Sequence, residues 1–312
     1  MSERTGFRDP KVLFAFVTIT LIWGSTWIVI KDQLGIVPPA WSVTYRFVIA
    51  AAAMFAFAVW TKAPLGMGWR GHAVAAGFGI PQFCLNFNLV YGAELYVTSG
   101  LVAVVFALLM VPNSALAWLL LKHKASGRFV AGSAIACAGV ALLFVQEIRA
   151  SPVSAGAAAT GIGLALLAVL SASAANVIQA IPRVRARPIA ANLAWGMLYG
   201  ALANAAFALA SSGAPVAEAR AGYWLGLLYL GLLASAAAFT LYLTVIRAVG
   251  PGKAAYSSLI VPVIAMAIST GVEGYRWSAL AVAGALVALA GMAIALRAEA
   301  PPEAQLSSQR TR

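Results

Sequence analysis

Residues 98–121 read TSGLVAVVFALLMVPNSALAWLLL, an uncharged run of membrane length with a single proline near its middle. At about 1.5 Å per residue such a run crosses a hydrocarbon core of roughly 30 Å as a helix. Pro112 lacks the N–H that would bond the carbonyl of Leu108, so that carbonyl is expected free at about mid-bilayer depth. The pattern returns in residues 254–271, AAYSSLIVPVIAMAISTG, where Pro262 frees the carbonyl of Ser258 at a similar depth. Each proline run is followed by a polar turn and then by small residues on one helical face. These are Gly132, Ala136 and Gly139 in the first case and Gly284, Ala288 and Gly291 in the second. Small residues so placed let helix backbones approach closely in lipid, where packing drives association. Proline, turn and glycines agree in order, which points to an internal duplication.

Ten apolar runs are found in all: 11–30, 40–60, 71–91, 98–121, 127–145, 160–181, 190–210, 223–247, 254–272 and 278–296. Each is near the ~20 residues that a membrane span requires. With 62% hydrophobic and 10% charged residues, the expected fold class is an all-α polytopic membrane protein. The sizeable interruption is 146–159, QEIRASPVSAGAAA, read as an extracytoplasmic linker between a first five-helix repeat, 11–145, and a second, 160–297. The polar ends, 1–10 and 298–312, are expected to be cytoplasmic tails, the latter disordered.

The net charge of +12 does not mark a nucleic-acid binder, because the basic residues are scattered singly between apolar runs. It marks topology instead. Sixteen of the 21 Lys and Arg residues fall on the side of the amino terminus, four fall on the other side (Lys31, Arg149, Arg220 and Arg276), and Arg46 lies inside a span. The positive-inside rule then places both termini in the cytoplasm. Since five is odd, the second repeat must enter the membrane inverted, an arrangement that puts a binding site near the midplane where the halves meet. Cys84 and Cys137 both lie inside apolar runs, so no disulfide framework is expected.

Trp23, Gly24, Ser25, Thr26 and Trp27 in the first span, then Lys31, Pro38 and Pro39, and Arg46 with Phe47 in the second, resemble the signature of EamA-type members of the drug/metabolite transporter superfamily. Residues 231–250, GLLASAAAFTLYLTVIRAVG, resemble the eighth-span signature of that family. The resemblance implies a ten-helix fold of two inverted repeats in the cytoplasmic membrane that moves small metabolites, often outward. One departure is visible. Lys122, His123 and Lys124 stand where the family commonly has an acidic and basic pair after the fourth span, while Glu273 holds the matching place in the second half.

Helix faces suggest which residues line a path. Gln82 and Asn86 share one face of the third span, with Asn88 on nearly the opposite one, and Pro81 offers a third proline break. Asn88 reads as interhelical glue; Gln82 and Asn86 suit either glue or a cavity wall. Phe239 and Tyr242 lie with Ser235 on one face of the eighth span. Asn176 in the sixth span and Tyr256 one turn before Pro262 are further candidates, as is Trp23, whose neighbour Trp27 reads equally as an interfacial anchor. Arg46 is read as structural, close enough to the outer end to snorkel or to pair with a carboxylate. The acidic residues of the membrane region fall at outer span ends or loops, and His72 and His123 at solvated cytoplasmic edges.

The expected substrate-binding set is therefore Trp23, Gln82, Asn86, Asn176, Phe239, Tyr242 and Tyr256, with Pro81, Pro112 and Pro262 as hinges. No nucleophile and base, carboxylate pair or metal-ligand cluster is evident, so neither an enzyme nor a cofactor is indicated. A channel would usually show a ring of charge or repeated carbonyls. The aromatic, uncharged lining disfavours phosphate esters and suits large neutral amino acids, aromatic ones preferred; the alternative is a lipophilic cation or drug. The partners expected are thus a small-molecule substrate and the lipid bilayer.

Overall fold

The computed structural model describes residues 9–121, 126–150, 154–249, 254 and 256–299. The expected tails, and the departure at Lys122, His123 and Lys124, lie largely or wholly outside these residues. No strand occurs among the described residues. Helix α1 is Pro10–Asp32 and α2 is Pro39–Trp60; α3 runs from Trp69 to Glu94 and α4 comes in two pieces, Ser99–Ala107 and Met110–Leu121. They are followed by α5, Gly127–Ala150, α6, Ala155–Ala180, and α7, Ile189–Ser212. Helix α8 comprises Ala221–Leu228, Tyr229–Ala237 and Ala238–Val249, and α9 and α10 are Ser257–Val272 and Ala279–Glu299. Among the described residues, eight helices are long and apolar enough to cross a membrane, and Ser257–Val272 and Ala279–Ala295 are shorter apolar helices.

The caps follow from local chemistry. Asp9 accepts from the Lys11 N–H at 2.9 Å ahead of Pro10, and Ser154 accepts from the Ala157 N–H at the start of α6, each satisfying an orphan donor of a first turn. Helices α5 and α6 reach well into the polar interruption, leaving 151–153 between α5 and the Ser154 cap.

Packing is organised by pairs of contacts. Helices α5 and α10 pack together, as do α2 and α7; α1 packs on α9, and α6 on α4. Likewise α3 packs on α7 and α6, while α8 packs on α2 and α1. Moving every helix five places along the chain exchanges these contacts with one another, the behaviour of a duplicated unit. The α5–α10 contact is the closest. A Cβ added at Gly139 would lie 2.2 Å from Ala288 N and 2.6 Å from Gly284 O, and one at Gly291 would lie 2.2 Å from Ala136 N and 2.7 Å from Gly132 O. Gly132 faces Gly291 and Gly139 faces Gly284, so the two helices run antiparallel with their backbones touching.

Two helices are locally underwound. In α3, residues Pro81–Leu85 form a π-helical turn, with the Asn86 N–H bonded to the Pro81 carbonyl. In α8, residues Tyr229–Ala237 do the same without a proline. Such turns disturb the regular ladder of the helix, and side chains from neighbouring helices bond to carbonyls within both of them. Asn204 of α7 donates to Phe83 O at 2.8 Å, Ser171 of α6 to Pro81 O at 2.8 Å, and Trp23 of α1 to Ala234 O at 3.3 Å.

The other two prolines behave differently from each other. Helix α4 breaks at Leu108–Leu109, ahead of Pro112, and the Leu108 carbonyl accepts from the Val111 N–H at 2.8 Å. A tightened turn thus satisfies the group that the proline orphaned, and no free carbonyl results there. Pro262 stays inside a continuous helix and sits in its second turn, a little ahead of the middle of α9.

Candidate functional site

A cavity of about 620 Å³ lies between α1, α2, α3, α4, α6, α8 and α9, within the roughly 300–1,000 Å³ of small-molecule sites. It brings together six of the seven expected lining residues: Trp23, Gln82, Asn86, Asn176, Phe239 and Tyr242. Tyr256 is not among them. It packs instead with Val12, Ala15, Phe16, Ile19 and Val245, because α9 begins only after it, and Ser257 and Ser258 take the places on the wall. Of the hinges, Pro262 touches the cavity, whereas Pro81 opens the π-turn that carries Gln82 and Pro112 stands behind Asn113 and Ser114.

A continuous run of rings borders the cavity: Phe87, Phe239, Trp23 and Tyr242 line it, and the buried Phe47 and Phe83 join them from behind. Phe87 meets Phe47 with centroids 4.9 Å apart, Phe47 meets Phe83 at 5.1 Å, and Phe83 meets Phe239 at 6.0 Å. Phe239 meets Trp23 at 5.9 Å and Trp23 meets Tyr242 at 5.0 Å. These are tilted or edge-on contacts, the favoured geometry of aromatic pairs. They tie α1, α2, α3 and α8 into one surface. Trp27 and Phe106, 5.0 Å apart, add a second aromatic patch to the cavity. Trp27 is therefore a wall residue and not an interfacial anchor; its i, i+4 relation to Trp23 carries that information.

Arg46 departs most from expectation. It does not snorkel, and it forms no salt bridge among the described residues: the side chain is 1% exposed and lies on the cavity wall. Its guanidinium carbon stands 4.2 Å from the centre of the Phe87 ring, and Nε donates to Ser235 Oγ at 3.2 Å. The π-turn of α8 creates this setting, since Gly231 lets α8 sit against the Arg46 carbonyl. Helical spacing alone carries no trace of it.

Asn88, expected as glue, donates to Asn204 Oδ1 at 2.6 Å. Glu94 closes α3 at its expected end but is fully buried. His72 is not simply solvated: Nδ1 pairs with the Tyr199 hydroxyl at 2.9 Å, and the ring stands edge-on to Trp195 at 4.5 Å.

One end of the bundle is tied by polar contacts. The Lys31 ammonium donates to the carbonyls of Glu94 and Val97, joining α1 to the end of α3. The carboxylate of Glu273, after α9, accepts from the N–H and hydroxyl of Ser99 at the start of α4, where a negative charge also complements the helix dipole. Arg220 bonds Asp32 and Glu218 at 2.8 Å each, and these two carboxylates raise its pKa above the ordinary arginine value. Tyr223 and Ser42 join hydroxyls at 2.8 Å beneath them.

A bundle of apolar helices around a cavity that is aromatic on its walls and polar at a few points is that of a multi-pass membrane transporter. The chain belongs to the EamA-like transporter family, whose model matches residues 10–145 and 159–297, and with it to the drug/metabolite transporters of the cytoplasmic membrane. It is 26% identical over 301 residues to a probable amino-acid metabolite efflux pump of Salmonella typhimurium, covering 94% of this chain and 95% of that protein. It is 25% identical over 260 residues to the uncharacterized transporter YoaV of Bacillus subtilis, covering 82% and 86%. The match to protein PagO of Salmonella typhimurium, 28% over 144 residues, spans just under half of either chain. A solved crystal structure aligns with a TM-score of 0.67 at 18% identity, over 93% of this chain and 99% of that one; at that identity the likeness speaks for the fold alone.

Proposed function

We propose that the protein is an alternating-access carrier that exports large neutral amino acids, aromatic ones preferred. It is built from ten crossing helices in two inverted five-helix repeats with both termini in the cytoplasm. The observation that supports this reading best is the aromatic wall from Phe87 to Tyr242 bordering a cavity of small-molecule size. Such a wall receives an apolar or ring-bearing body. The amides of Gln82, Asn86 and Asn176 on the same cavity supply hydrogen bonds for a polar end. The Salmonella relative named as a probable amino-acid metabolite efflux pump, aligned over nearly the full length, agrees with it. A lipophilic cation fits less well, because the guanidinium of Arg46 shares the cavity and repels positive charge.

Competition tests the substrate. In proteoliposomes, unlabelled phenylalanine or tryptophan should depress the uptake of labelled methionine, and preloading with phenylalanine should accelerate it, as a carrier requires. Indifference to all three amino acids, with inhibition by quaternary ammonium compounds, would reverse the assignment. Topology is tested separately at Ala155, which is exposed beside the Ser154 cap. With Cys84 and Cys137 replaced by Ser, Ala155→Cys should react with an impermeant maleimide in intact cells. Labelling only after lysis would place that segment inside and remove the inverted arrangement.

A further inference from the structure

We propose that Arg46 is the anchor for the carboxylate of the transported molecule, with the side-chain oxygens of Gln82 and Asn86 as the receptors for its ammonium group. The proposal rests on the amino-acid reading and adds to it the atoms that recognise the zwitterion.

The geometry begins with what is left unbonded. Among the described residues, Arg46 Nη1 is buried without a hydrogen-bond partner, although Nε is held by Ser235. The Tyr91 hydroxyl and the Glu94 carboxylate are electrostatic neighbours of the guanidinium. The Tyr91 hydroxyl lies near enough to share a hydrogen bond with the guanidinium, but neither it nor a Glu94 oxygen closes one of ordinary geometry, and Nη1 is left for a further acceptor. A buried charged donor left unpaired is costly, and this one lies on the cavity wall. Phe87 beneath the guanidinium and Ser235 at Nε fix its orientation, so an incoming carboxylate meets a donor already in place.

The complementary half is on α3. Asn86 uses its Nδ2 on the Gln82 carbonyl, 3.3 Å away, which leaves Oδ1 without a partner. Gln82 Oε1 is also buried and unpartnered, and both residues line the same cavity. Two free acceptors match an ammonium group, which only donates. Phe87, adjacent to Asn86 in sequence, stacks under Arg46, so donor and acceptors border the same end of the aromatic wall. An α-amino acid has its opposite charges on neighbouring atoms and a side chain free to lie along that wall.

Ligands that share one ring and differ in charge test this. Binding of phenylalanine, phenylalaninamide, phenethylamine and 3-phenylpropionate to the purified full-length protein is read by quenching of tryptophan fluorescence. Wild-type protein should bind phenylalanine at least about tenfold more tightly than the amide or the amine, the usual consequence of losing one charge-assisted hydrogen bond. Arg46→Gln should bring phenylalanine down to the level of phenylalaninamide and leave the amide's own affinity unchanged. Arg46→Lys should retain part of the preference. Equal affinity of the wild-type protein for phenylalanine and its amide overturns the proposal, and this arm stands even should Arg46→Gln fail to fold. A protein that ignores phenylalanine yet binds 3-phenylpropionate through Arg46 keeps the anchor and loses the amino-acid reading. One that binds neither carboxylate loses both.

Discussion

Gly139→Ala is expected to destabilise the protein by about 1–3 kcal/mol, although it adds a single methyl group and improves helix propensity. The methyl would lie 2.2 Å from the backbone nitrogen of Ala288 and 2.6 Å from the Gly284 carbonyl, with no flexible side chain to give way. Helices α5 and α10 must separate along their whole contact, and the backbone packing that holds helices together in lipid is lost with it. Gly291→Ala should behave alike, since its methyl would lie 2.2 Å from Ala136 N at the mate of the same contact. The control is Gly163→Ala in α6, where an added Cβ meets nothing within 4 Å. There the change should be neutral or stabilising, by up to about 1 kcal/mol of helix propensity. Thermal unfolding in detergent, followed by size-exclusion chromatography, separates the cases: equal transition temperatures for Gly139→Ala and Gly163→Ala would mean that α5 and α10 do not touch as described.

That contact is legible in the sequence because small-residue spacing is itself a geometric statement. Gly132 and Gly139 repeat the interval of Gly284 and Gly291, and the structure sets the two pairs face to face in reverse order. The cavity was legible in a weaker sense. Polar and aromatic residues on one face of an otherwise apolar helix must meet something other than lipid, and Trp23, Gln82, Asn86, Asn176, Phe239 and Tyr242 share one cavity. Tyr256 lies off this cavity because side-chain periodicity says nothing of where a helix begins. The underwound turn at Pro81 carries a sequence mark, whereas that of Tyr229–Ala237 has no proline to announce it. Arg46 was misplaced for a related reason: its burial depends on the approach of α8 through Gly231, a tertiary event that the residues around position 46 do not encode.

Asn204→Leu is expected to cost about 2–4 kcal/mol and to weaken substrate binding at a distance. Asn204 is fully buried in α7 and serves two groups of α3 at once. Its Nδ2 donates to the Phe83 carbonyl at 2.8 Å, and its Oδ1 accepts from Asn88 Nδ2 at 2.6 Å. Phe83 lies within the π-helical turn, so the Asn204 amide supports a carbonyl in the underwound segment. Leucine fills much the same volume but removes both bonds, leaving a backbone acceptor and part of an amide unsatisfied in an apolar interior. Asn88→Ala is the milder lesion. It removes the Nδ2 bonds to Asn204 Oδ1 and to the Cys84 carbonyl of its own helix but leaves the Phe83 carbonyl satisfied, which predicts a smaller loss of about 1–2 kcal/mol; the double variant should then cost less than the two losses combined, because both delete the same Asn88–Asn204 bond. The functional consequence follows from sequence position. Gln82 lies within the turn and Asn86 directly after it, so a turn that relaxes toward ordinary α-helix rotates both amides on the cavity wall. KM for the transported amino acid should rise in Asn204→Leu more than in Asn88→Ala, with the purified protein still monodisperse below its lowered transition temperature. If Asn204→Leu unfolds at the same temperature as Asn88→Ala, the Phe83 carbonyl needs no partner, and the support of the π-turn by α7 must be abandoned.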